Sequence, residues 1–254
     1  LTESGPAGLS CAYYLALDGY SVTVFEKERQ LGGMLTLGVP AFRLEKDVID
    51  AEIAIIRELG VTFKTSVEVG KDVSLDALRK QGYAAFYVAI GAQGGRALGV
   101  EGEDATGVVS GIEFLRCVNA GENAKLSGTT VVIGGGNVAV DVARTAVRSG
   151  ASEVTMVCLE SRKEMPASEE EIAEAEEEQI SINNGWGPKR ILSDNGKVTS
   201  VEFKRCTAVF NAEGRFAPQY DENDTMVVPA DAVLVTIGQS ILWGDLLAGC
   251  DAVT

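Results

Sequence analysis

Two glycine-rich turns stand about 130 positions apart in this 254-residue chain. The first reads Glu3-Ser4-Gly5-Pro6-Ala7-Gly8 and the second Gly134-Gly135-Gly136-Asn137-Val138-Ala139. Each opens a helical pattern and leads some twenty residues on to a strand that ends in glutamate, Glu26 or Glu160. A turn of this kind aims backbone N–H groups at an anion, and the helix dipole adds about half a positive charge there. Gly5 and Gly136 would let a pyrophosphate approach the backbone, while Gly8 and Ala139 would let the helix pack close to its strand. The distal carboxylate would accept the hydroxyls of a ribose. One such motif is a weak signal; two, each in strand–turn–helix context with a distal acid, are a strong one. A chain holding two dinucleotides typically passes a hydride from a nicotinamide to a flavin, and the protein supplies orientation and electrostatics.

Two departures bear on that chemistry. Glu3 stands where the first turn wants its first glycine, which sets a carboxylate near a phosphate and opposes binding by repulsion. Glu160 lies 21 residues past Ala139, where an acid prefers a free 2′-hydroxyl, so the balance leans to NADH. Arg144, Arg162 and Lys163 are close enough in sequence to favour a 2′-phosphate instead.

The remaining composition excludes several classes. A net charge of -15 argues against nucleic acid, which wants a basic face. No apolar run approaches the roughly 20 residues of a membrane-spanning helix, and no basic-then-apolar leader is visible. Histidine is absent, which removes Ser-His and Cys-His machinery. The five cysteines, Cys11, Cys117, Cys158, Cys206 and Cys250, contain no C-x-x-C, so no metal or cluster site and no disulfide-reductase pair is read. Most of them read as buried apolar residues in a reducing cytoplasm. The acidic stretch Ser168 to Gln179 reads as a capped, solvated helix, with a docking surface for a basic partner as the alternative.

The elements that must position the turns follow from periodicity. Helices are expected over 5–18, 45–59, 75–80, 112–118 and 138–149. Strands are expected over 21–26, 60–67, 83–90, 129–133, 153–159 and 230–237. Asn195-Gly196 and Glu213-Gly214 punctuate antiparallel strands around 180–182, 198–204 and 207–210. Residues 93–127 read as a linker with one helix. Only Leu1 and Thr2 precede the first turn, where a Rossmann unit needs a strand, so the sequence reads as a piece of a longer protein.

The chain resembles the small-subunit flavoprotein of bacterial glutamate synthase and its relatives, which include the N-terminal half of dihydropyrimidine dehydrogenase and the large subunit of NADH-dependent ferredoxin:NADP oxidoreductase. The resemblance is carried by Ser4 to Ser10, Leu31-Gly-Gly-Met-Leu35, Gly38 to Leu44, Gly134 to Asp141, Ser161 to Ala167 and Ile237-Gly-Gln239. It implies an α/β fold of two Rossmann-like dinucleotide-binding domains, the second inserted in the first, with antiparallel strands in the connecting regions. The implied boundaries are 1–105 for an FAD-binding domain, 106–238 for an NAD(P)H-binding domain and 239–254 for the start of the return. FAD would be lined by Gly5, Pro6, Ala7, Gly8, Glu26, Lys27, Gly33, Met34, Leu35, Arg43 and backbone near Val69 and Gly91. The nicotinamide nucleotide would be lined by Gly135, Gly136, Asn137, Val138, Asp141, Ser161 and Arg162, with Gly134, Glu160 and Gly238 added from the residues themselves; Val157 to Glu160 departs from the pair of arginines common in NADP-using relatives. Plainer roles compete: Arg43 as a surface arginine, Asp141 as a helix N-terminal charge, Met34 as core filler. In the relatives electrons leave through iron–sulfur clusters, which this chain would need on another domain or a partner. The competing class is a truncated, flavin-poor nucleotide-binding or docking module without catalysis of its own.

Overall fold

The computed structural model describes residues 2–248, which fall into two compact units. One comprises residues 2–94 with 240–248, the other residues 95–239. Cys250 lies outside the described residues.

The second unit is built on a five-stranded parallel sheet. Its order is Val108–Ser110, Ala232–Val235, Thr129–Ile133, Glu153–Cys158, Ser181–Asn184. Val131, Val132, Met156 and Val157 are wholly buried, as expected of strands covered on both faces. Alternate residues of these strands point to opposite layers. Val132, Met156 and Leu234 meet Phe114 and Leu115 of helix Gly111–Asn119, Val140 and Ala143 of helix Asn137–Arg148, and Ile172 of helix Glu169–Glu177. Val131, Ile133, Val157 and Val233 meet Ile191, Val201 and Phe203 of a three-stranded antiparallel sheet. At about 1.5–3 kcal/mol per buried Val, Ile or Phe side chain, these two cores dominate the stability of the unit.

That antiparallel sheet comprises Trp186–Asp194, Lys197–Phe210 and Phe216–Pro229. Asn195 and Gly196 turn the first hairpin with φ of 50° and 79°, as a type I′ turn requires. Glu213 and Gly214 lie in the second turn, where Asn211 Oδ1 accepts from the N–H groups of Glu213 and Arg215. The two runs read as separate strands, 198–204 and 207–210, are one long strand, and 180–182, expected among the antiparallel strands, belongs instead to Ser181–Asn184 of the parallel sheet. Trp186–Asp194 and Phe216–Pro229 are strands that the alternation does not announce, because Pro188, Pro218 and several charged residues interrupt it. Val108–Ser110 is likewise a strand inside the expected linker.

In the first unit Thr23–Glu26 pairs in parallel with Thr62–Thr65. Helices Pro6–Leu17 and Lys46–Glu58 bury Leu9, Ala12, Ile49 and Ile53 against Val22 and Val24. Helix Leu75–Lys80 begins with Ser74 capping the Ala77 N–H and packs Leu78 on Phe25. The expected strand at 83–90 is not one: it holds a single bridge, Thr2 to Val88. Thr2 also bridges Phe25, so it lies between the two where a first strand would run.

Candidate functional site

In the second unit the turn 134–136 follows the central strand Thr129–Ile133. Gly134 N–H donates to Val157 O, Ala167 N–H donates to Gly135 O at 3.1 Å, and Asn137 Oδ1 accepts from Ser168 N–H at 3.2 Å. A Cβ on Gly134 would stand 2.3 Å from Thr236 Oγ1, and one on Gly135 would stand 2.9 Å from both Cys158 Cβ and Glu160 Oε2. Gly136 differs: a Cβ there would meet nothing within 4 Å. Two of the three glycines are therefore needed for packing and the third faces open space.

That space is a cleft of about 690 Å³ at the carboxyl ends of the parallel strands, the usual place for a ligand in an open α/β sheet. Of the residues expected from sequence, the cleft brings together Gly134, Gly135, Gly136, Asn137, Val138, Glu160 and Gly238. Among the described residues, Glu160 and Arg96 are its sole charged lining residues. Asp141 is half-buried in the helix body and does not line it. Ser161 Oγ donates to Glu164 at 2.6 Å, and Arg162 pairs with Glu169 at 3.2 Å and Glu176 at 3.6 Å, so both turn to local carboxylates. Arg144 is likewise held by Glu174 and Glu178. The acidic helix thus spends Glu169, Glu174 and Glu176 on this unit's own arginines, as Glu178 just beyond it does. Burial and the charge of Glu160 push the Cys158 thiol up to about 12, so it stays protonated and is no nucleophile at neutral pH.

In the first unit the turn 3–8 is tied to a second glycine loop. Gly32 N–H lies 3.1 Å from Ser4 O and 3.0 Å from Ser4 Oγ, and a Cβ on Gly33 would stand 2.7 Å from Gly5 Cα. Gly8 has the same constraint, since a Cβ would reach 2.2 Å from Glu3 O. Gly5, like Gly136, faces open space. Glu26 is buried, accepting from Ser4 N–H (2.8 Å) and Ser4 Oγ (2.7 Å) on one oxygen and Glu28 N–H (2.9 Å) on the other. Met34 and Leu35 begin the short helix Met34–Leu37, with Met34 Cε where a Gly38 Cβ would go and Leu35 against the core. Lys46 Nζ holds this loop through Leu35 O and Val39 O, and burial lowers its pKa. Arg43 is exposed in a turn, and Gly91 is exposed with φ 64°.

Glu3 has φ 68°, the left-handed conformation that the absent glycine would adopt without cost. Its side chain is buried, with Oε2 accepting from Gln93 Nε2 at 2.5 Å and Oε1 lying 3.5 Å from Lys27 Nζ. Burial raises its pKa to about 7, opposed by Lys27 and reinforced by Glu26. With Lys27, Val69 and Trp243 it lines a pocket of only about 40 Å³.

Sequence reasoning missed Arg96, Trp186, Tyr220 and Thr236, which also line the large cleft. No local signal marks them: strand pairing brings them there from positions far apart in the chain.

Glycine turns that each open a helix beside parallel strands, in two units of which the second is inserted in the first, define a two-dinucleotide flavoprotein fold. The fold is similar to that of the oxidoreductase FprA of Mycobacterium tuberculosis, with a TM-score of 0.80 at 20% identity over 94% of this chain and 70% of that one. Residues 4–241 match the pyridine nucleotide-disulphide oxidoreductase family, and the chain belongs to it. Among curated relatives, it is 41% identical to the NADPH-Fe(3+) oxidoreductase subunit beta of Geobacter sulfurreducens, over 94% of this chain and 36% of that protein. It is 36% identical to the glutamate synthase [NADPH] small chain of Escherichia coli, over 92% of this chain and 52% of that protein. The chain therefore spans about a third to a half of the length of these relatives. Among the described residues no helix is long and apolar enough to cross a membrane.

Proposed function

We propose that the chain is the dinucleotide-binding module of an FAD-dependent NAD(P)H oxidoreductase of the glutamate synthase small-chain type. The observation that carries this reading is the pair of open glycines, Gly5 and Gly136, each at the head of a helix, with the large cleft over Gly136. The residues fit a nicotinamide dinucleotide in the second unit: Gly134 to Val138 hold its pyrophosphate and Glu160 its adenosine ribose. In the first unit Gly5 to Gly8, Glu26, Lys27, Gly33 to Leu35, Arg43, Val69 and Gly91 surround FAD, and Glu3 opposes it. When bound, the nicotinamide supplies a hydride and the flavin accepts it. We assign residues 1–105 and 239–254 to flavin and 106–238 to the nicotinamide nucleotide, except that Arg96 to Leu98 line the nucleotide cleft of the second unit.

The nucleotide is NADH on the strength of Glu160, because Arg144 and Arg162 are already paired with glutamates. NADPH is the second reading, favoured by the names of the relatives. Electrons pass on to an iron–sulfur domain or partner subunit, since the relatives are subunits of larger enzymes. The cytoplasm suits cysteines that remain free thiols.

The test is the visible spectrum of the purified chain, followed by NADH or NADPH added without oxygen. Flavin bands bleached faster by NADH support the whole reading. A colourless chain that takes up no FAD sinks the oxidoreductase assignment and leaves the flavin-poor module. Because of Glu3, the nicotinamide nucleotide binds more tightly than FAD, and an equal or tighter FAD affinity overturns that ranking.

A further inference from the structure

Three aromatic rings of the large cleft belong to neither the glycine turn nor the distal acid. Trp186, Phe216 and Tyr220 come from the antiparallel sheet and line the cleft together with Pro188 and Pro218. Partly exposed aromatic and proline side chains gathered on one wall are a ligand surface more readily than a solvent surface.

Two of these rings are held in place. The Arg205 guanidinium lies 3.7 Å from the Trp186 ring centre and is itself paired with Asp224 at 3.0 Å. Lys204 Nζ lies 4.3 Å from the Tyr220 ring centre and pairs with Glu222 at 2.7 Å. Tyr220 is also pressed on backbone, since a Cβ on Gly187 would stand 2.4 Å from its ring. Rings fixed in this way lose little freedom when a planar ligand stacks on them.

The strand order fixes which end of a dinucleotide they meet. The glycine turn follows the central strand. Glu160 and Trp186 follow the two strands on one side of it, and Thr236 follows the strand on the other. Asn184 Nδ2 and Gly185 N–H both donate to Glu160 O at 3.1 Å, which ties the start of the aromatic wall to the distal acid. A carboxylate at the end of the second strand belongs to the adenosine side of such a site. We infer that Trp186, Tyr220 and Phe216 form the stacking wall for the adenine base, and that the nicotinamide half takes the side of Arg96 and Thr236. This rests on the second unit holding a nicotinamide dinucleotide.

The test uses the full chain and its Trp186→Leu and Tyr220→Leu variants, titrated calorimetrically with NADH, 5′-AMP and nicotinamide mononucleotide. Loss of a stacked base weakens binding about tenfold or more. The expected result is that loss for NADH and AMP in both variants, with the mononucleotide unaffected. Unchanged affinity for NADH and AMP, or an equal loss for the mononucleotide, overturns the assignment. If the unmodified chain binds none of the three, the nucleotide reading of the unit fails and the wall with it. A readout that spares the wall comes from Trp243→Phe, which leaves Trp186 as the only indole. AMP should then quench its emission, and calorimetric binding of AMP without quenching overturns the proposal.

Discussion

Replacing Glu3 by glycine should stabilise the protein, and by an amount that depends on pH. The carboxyl titrates near 4.5 when exposed and near 7 in the fold, because burial outweighs the help of Lys27. The folded state therefore binds this proton more tightly than the unfolded state. Stability on this account is greatest below pH 4.5, falls as pH rises through the window from 4.5 to 7, and stays low above it. The rise from 4.5 to about 7, at about 1.4 kcal/mol for each step of one in pH, amounts to roughly 3 kcal/mol, and at 7% exposure little of it is screened away. Relief of the left-handed backbone at φ 68° adds about 1 kcal/mol at any pH. Glu3→Gly should thus gain roughly 4 kcal/mol at pH 8 and about 1 kcal/mol at pH 4. Urea unfolding of both proteins from pH 4 to 8 measures the difference directly. Parallel stability curves would refute the reasoning, since they would mean that Glu3 titrates alike folded and unfolded. The same substitution should raise FAD affinity at pH 8 by tenfold or more, because a unit repulsion is worth about 1.7 kcal/mol even at about 10 Å and an effective dielectric of about 20.

Gly136→Val should leave the melting temperature nearly unchanged yet abolish NADH binding, because its side chain enters open space in the cleft; retained binding would place the nucleotide elsewhere. Gly135→Ala should do the reverse in emphasis, losing about 1–3 kcal/mol of stability from crowding Cys158, as read by denaturant midpoint. Glu160→Gln should shift the NADH to NADPH ratio of kcat/KM toward NADPH by about tenfold, the worth of a charged hydrogen bond, and an unchanged ratio would remove Glu160 from nucleotide choice. Glu178, whose carboxyl Arg148 and Arg144 hold below the ordinary range, contributes stability that is present above pH 4.5 and lost as pH falls below it. Glu178→Gln should therefore flatten the acid limb of a thermal stability profile.

Much of the fold was legible because its signals are local. The turn 134–136, the helix Asn137–Arg148 and the strand Glu153–Cys158 are adjacent in sequence and carry their own periodicity. Helix Lys46–Glu58 shows its buried stripe of Ile49, Ile53 and Ile56 without help from the rest of the chain. What failed depended on partners. Residues 83–90 have the composition of a buried strand, but a strand is defined by its ladder, and among the described residues this segment holds only the bridge from Val88 to Thr2. Val108–Ser110 is too short to announce itself and becomes a strand by pairing with Ala232–Val235.

The candidate site divides along the same line, and the division explains why its two halves differ in legibility. Backbone chemistry is written in glycine spacing, because cradling an anion demands particular backbone approaches whatever surrounds them. Gly136 and Gly5 were found this way, and the geometry gives both the same open face. Base recognition is carried by side chains, and any aromatic residue brought to the cleft can provide it. Trp186 and Tyr220 are separated by 34 positions, and each lies in a strand paired to Lys197–Phe210, which alone brings them onto one wall. Arg96 reaches the same cleft because its N–H bonds Gly238 O, 142 positions away. Exchanging Arg205 for leucine is the sharpest check on that wall. It leaves every residue of the glycine turn and Glu160 untouched while freeing the Trp186 indole from its cation and from the Asp224 tie. If the ring's fixed position matters, NADH affinity should fall severalfold with the cation–π contact, worth about 1 kcal/mol, while the affinity for nicotinamide mononucleotide holds. A uniform loss for both would mean that Arg205 supports the sheet and not the wall.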